Sequence, residues 1–222
     1  MAIYKEEATA LMDNFITFYY ADCLQSYQTA NDAELSTAAY FFIQFVSECK
    51  KGSNKMMLYE LCNQFADIAL FLAPDACDAR QNSIYGVGLL SKFLDTATFS
   101  SLLPKVMKAI EHILSDPEGK SEERLPVTEN ALITLGFISL LHTKDSVQIN
   151  KFLDQLPLQG DDEAQEAHEF LAEQILVGNT ALFTADCLSK VKQTLEKIDA
   201  AKTEDNLNEE ATKKLQQALQ KV

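Results

Sequence analysis

The side chains that most often carry chemistry are sparse in this chain and poorly spaced for it. His112, His142 and His168 fall on three different apolar-periodic segments. His168-Glu169 is followed by Ala172 where a second histidine would complete HExxH, so the helical zinc pattern is absent. Cys23, Cys49, Cys62, Cys77 and Cys187 form no CxxC or other close ligand pair. Gly86 and Gly88 make a GxG inside a helical pattern, not after a strand, so their amides are not set to cradle a phosphate. The serines lack the strand-to-helix turn of a nucleophile elbow. The sequence therefore predicts no catalytic residue, no metal site and no cofactor, and a protein that is not an enzyme.

What remains is suited to recognition. Asn82 and Asn130 occupy the same place in two similar segments, and a side-chain amide both donates and accepts, as a peptide backbone does. Glu129 beside Asn130 is placed to pair with a lysine. Asp161-Asp162-Glu163 with Glu166, Glu169 and Glu173 is the densest acidic stretch. Each group has a second possible role. The asparagines can cap or cross-link helices internally. Acids at a helix start complement its dipole, the preferred account of Asp161 and Asp162, whereas Glu166 and Glu173 stand equally for a surface that receives basic partners. The 19 basic and 33 acidic residues give a charge of −14, which disfavours nucleic-acid phosphates and anionic lipid and favours basic proteins; the same charge also serves solubility.

These residues must be positioned by helices. Seven glycines and five prolines in 222 residues are too few for a turn-rich β protein. Apolar residues recur at helical spacing over Ala8–Gln28, Leu35–Val46 and Lys55–Leu72. Further helices are expected over Asp78–Leu94, from Phe99 to about Ser115 with Pro104 in its first turns, and over Val127–His142 behind Pro126. Four more follow: Val147–Leu156, Asp162–Val177 capped by Asp161 or Asp162, Ala185–Ala201, and a polar Asn208–Lys221. No run reads as membrane-spanning, and the acidic pair Glu6-Glu7 at the start does not suit a secretory leader. An odd number of cysteines, mostly in apolar helical runs, points to buried thiols in a reducing compartment.

The helices also repeat. Arg80-Gln81-Asn82-Ser83-Ile84-Tyr85-Gly86-Val87-Gly88 aligns with Thr128-Glu129-Asn130-Ala131-Leu132-Ile133-Thr134-Leu135-Gly136. Thr37–Phe45 and Gln165–Glu173 fit more loosely, with Ala39 and Ala167 where Ser83 and Ala131 stand. A period of about 35 to 50 residues is that of two-helix solenoid repeats, and small residues at one fixed place would let neighbouring pairs approach closely. An ordinary helical bundle is the competing arrangement.

Asp75, Arg80-Gln81 and Tyr85-Gly86-Val87-Gly88 resemble a HEAT repeat of the importin-β superfamily of nuclear transport receptors. Thr128-Glu129-Asn130 with Ile133 and Gly136, Leu156-Pro157-Leu158 with Asp161, and Leu207-Asn208-Glu209-Glu210 before a polar helix resemble, in order and spacing, the last repeats of the importin-five branch. The resemblance implies an all-α fold, a right-handed α-solenoid of HEAT-type antiparallel helix pairs. It would span 1–201 in about four to five pairs, with 202–222 a linker and polar C-terminal helix. It implies protein binding in nucleocytoplasmic transport, a cytoplasmic and nuclear location, and basic cargo peptides or phenylalanine-glycine nucleoporins as partners. Binding to RanGTP is not implied, since family members grip it mainly toward their other end. In the family the second helix of each pair lines a concave face. By that likeness Asn82, Glu129, Asn130, Glu166 and Glu173 would be the protein-binding residues. A general HEAT-repeat scaffold without a transport role is the alternative.

Overall fold

The computed structural model describes residues 55–203 and 207–222, so the helices expected over Ala8–Gln28 and Leu35–Val46 lie outside the described residues. Among those described there are nine α-helices and no strand, as an all-α fold requires. They are α1 (Lys55–Phe71), α2 (Cys77–Ser91), the single-turn α3 (Thr96–Phe99), α4 (Leu103–Leu114), α5 (Leu125–Ile138), α6 (Ser146–Leu153), α7 (Asp161–Leu176), α8 (Ala185–Ala201) and α9 (Glu209–Lys221). A π-helical turn, Ser139–Thr143, extends α5, and a 3-10 turn, Thr180–Phe183, precedes α8.

Local chemistry sets most of the ends. Asp95, Asp145 and Asn208 each cap a helix by accepting from backbone N–H groups two or three residues on. Pro104 is the second residue of α4, where its missing N–H costs nothing, so it marks a start and does not kink a longer helix. The helix expected from Phe99 therefore begins at Leu103, and a separate single turn forms ahead of it at Thr96–Phe99. The predicted Val127–His142 helix changes pitch at Ser139 and stops at Lys144, which is left-handed at φ 53° and donates its N–H to Ser139 O at 2.8 Å. α7 ends in a Schellman turn. Gly178 sits at φ +78°, its N–H reaches Ile175 O at 3.0 Å, and Asn179 N–H reaches Gln174 O at 2.9 Å.

The chain divides within α4 into two compact units, 1–109 and 110–222. In the described part of the first, α1 packs on α2. Lys105 of α4 bonds Asn63 at 2.7 Å and pairs with Asp67 at 2.8 Å on α1. Phe65, Ile84 and Phe99 are buried in it. In the second unit, one continuous apolar core runs from Leu132 to Ala218.

Within this second unit the helices lie in two rows. α5 packs on α7 and α7 on α9; α6 packs on α8. Neighbours in a row run parallel, as their contacts advance together. Asn130 meets Glu163, Phe137 meets Phe170 with ring centroids 4.5 Å apart, and Leu140 O accepts from Asn179. In the other row Asn150 of α6 and Asp154 just past its end meet Asp186 and Lys190 of α8. The partners are separated by 33 to 45 residues along the chain, which is the spacing of the sequence repeat. Ser83, Ala131 and Ala167, the small residues of that repeat, are all buried. Gly136 receives a neighbour's ring: a β-carbon there would lie 2.8 Å from Phe152 Cε2 and Cζ of α6.

Two sequence expectations need correction. The continuous helix Leu125–Thr143 has 19 residues and is long and apolar enough to cross a membrane by length and composition, although no such run was expected. It is 72% buried inside the second unit, as the central helix of a core is. The C-terminal helix is also no separate polar appendage. Leu207, Ala211, Leu215 and Ala218 are buried in the same core as α5 and α7.

Candidate functional site

α7 carries the acidic stretch, and its two ends are held by its row neighbours in opposite ways. At its start the N-cap is Gly160, not Asp161 or Asp162 as expected, and Gly160 has no side chain to cap with. Glu129 of α5 substitutes for one. Its carboxylate accepts from Gln159 N at 2.7 Å and from Gly160 N at 2.9 Å. A carboxylate belongs at this electropositive end. The approach is close: a β-carbon on Gly160 would lie 2.9 Å from Glu129 Oε2 and 2.7 Å from Glu163 Oε2, so a side chain there would push both carboxylates aside. Asn130 completes the tie, donating through Nδ2 to Glu163 Oε1 and to Pro126 O, each at 2.9 Å.

Glu129 and Asn130, two of the expected protein-binding residues, are thus engaged inside the second unit. They are 3% and 4% exposed, and their polar atoms join α5 to α7. A cargo lysine would have to reach a carboxylate that is buried and already accepts two backbone N–H groups. Of the two roles open to Asn130, the structure gives it the internal cross-link. Asn82 is half-buried on α2, in the other unit.

Farther along α7, Glu166, Glu169 and Glu173 are half-buried. Glu169 and Glu173 stand one turn apart, where two like charges repel. Lys214 of α9 lies between them, its ammonium 2.5 Å from Glu169 and 2.7 Å from Glu173, with Glu210 at 3.5 Å. Hydrogen bonds to Glu169 and then Glu173 raise the Lys214 ammonium above its usual pKa, so it stays charged. At the helix end Lys221 donates to Leu176 O at 2.7 Å, a cation on a carbonyl of the last turn. Sequence reasoning missed both lysines. The signal was there, since Ala211, Leu215 and Ala218 form an apolar stripe at i, i+4 and i+7 with Lys214 and Lys221 beside it.

The remaining candidates for chemistry stay apart. Among the described residues no group of three or more His, Cys, Asp or Glu side chains could hold a metal ion. His112 is exposed on α4 and His168 is buried on α7. Cys62 and Cys187 are buried free thiols, and Cys77 is a half-buried one; Cys23 and Cys49 lie outside the described residues. Burial pushes the Cys62 thiol up to about 12, which leaves it protonated and unreactive at neutral pH.

Fold and surface together define an all-α protein whose second unit presents a half-buried acidic helix to a lysine-bearing one. No family model matches the chain, and no curated protein matches it.

Proposed function

We propose that this chain is a protein-binding α-solenoid of HEAT type that receives basic segments of other proteins, in the manner of the C-terminal repeats of an importin-five-type receptor. The reading carries with it a role in nucleocytoplasmic transport and movement between cytoplasm and nucleus. The observation that carries it is the parallel row α5, α7, α9, whose contacts recur at 33 to 45 residues and which bears the acidic residues Glu166, Glu169 and Glu173. Stacked pairs with alternate helices in two rows are the local geometry of a solenoid. The net charge of −14 draws basic partners to it.

The test is binding of a labelled, lysine-rich, nuclear-signal-like peptide to the whole chain. Weak binding that falls as salt rises, and falls further in Glu166→Gln/Glu173→Gln, is expected. Absence of binding at low salt, or binding indifferent to salt, would remove the reading. The second reading is a scaffold that organises a complex without transport. It is favoured by the internal engagement of Glu129 and Asn130, which leaves fewer groups for a peptide. Nuclear accumulation under an export block, with capture by phenylalanine-glycine repeats, separates the two.

A further inference from the structure

We draw no further inference here: the strongest candidate, the exposed apolar patch of Phe71, Ala73 and Pro74 at and just past the end of α1, carries nothing, because nothing in the structure shows what covers it.

Discussion

Gly136→Ala sets two effects of opposite sign against each other. Alanine in place of a mid-helix glycine stabilises a helix by about 1 kcal/mol when nothing else changes. In α5 the new β-carbon would lie 2.8, 2.8 and 2.9 Å from Phe152 Cε2, Cζ and Cδ2. Ordinary contact begins at 3.4 Å, so the ring must retreat by about 0.6 Å. Phe152 is 1% exposed and packed within the core of the second unit, so the retreat displaces core side chains and costs about 1–3 kcal/mol. The net expectation is a loss of about 0–2 kcal/mol, which lowers the melting temperature by a few degrees for a chain of this length. The chain has no tryptophan, so far-ultraviolet circular dichroism in urea is the suitable probe. Pairing the change with Phe152→Leu should recover about 1 kcal/mol of coupling in a double-mutant cycle. If Gly136→Ala alone stabilised the protein by the full propensity gain, the ring would not be where the argument needs it.

Glu129→Gln should cost about 1–3 kcal/mol, because an amide can accept from only one of the Gln159 and Gly160 N–H groups and turns a donor toward the other; an unchanged melting temperature would show that the carboxylate does not hold the start of α7. Asn130→Ala should lower stability by about 1 kcal/mol or more through the lost bonds to Glu163 and Pro126, and any fall in peptide affinity should track the stability loss; reduced affinity at unchanged stability would return Asn130 to the binding surface. Cys62 stays protonated in the folded state up to about pH 12, whereas the unfolded thiol ionises near 9.0. Its contribution to stability is therefore complete below pH 9 and falls between pH 9 and 12 by up to about 1.4 kcal/mol per unit, so denaturant titrations of Cys62→Ala should show a shallower alkaline loss than the parent.

The all-α class and most helix spans were legible in the sequence because each rests on local rules. Ala185–Ala201 is predicted from apolar spacing and observed with the same ends. The last helix, expected over Asn208–Lys221, is observed over Glu209–Lys221 with Asn208 as its cap, accepting from Ala211 N at 2.9 Å. Gly136 reads as a close contact, and Phe152 fills the space above it. Local rules fail where a partner lies a repeat away. Asp161 and Asp162 have the composition of a cap, but the helix begins one residue earlier, at a glycine capped by an acid on another helix. Asn130 and Glu129 have the composition of a polar surface, and their burial depends on α7 arriving 30 to 33 residues later in the chain. Within the π-helical turn that begins at Ser139, Leu140 O also takes its donor from a distant residue, Asn179.

The same contacts explain why α7 holds together despite its composition. Its sequence places six acids in sixteen residues and no basic side chain in its last turn, so on its own it would have its dipole poorly answered at the C-terminal end and like charges stacked one turn apart. Both defects are answered by its row neighbours. Lys221 is brought to the carbonyl end, and Lys214 separates Glu169 from Glu173. At the other end the positive field of the N-terminus is met by Glu129, which burial can tolerate because two backbone N–H groups are spent on it. An acid from the preceding helix and bases from the following one thus orient α7 within its row. A helix with this charge pattern specifies its neighbours: reversing α7 in the row would bring Glu129 to the carbonyl end and Lys221 to the amide end, with both interactions turned repulsive. The acidic face is for this reason part of what fixes the parallel stacking.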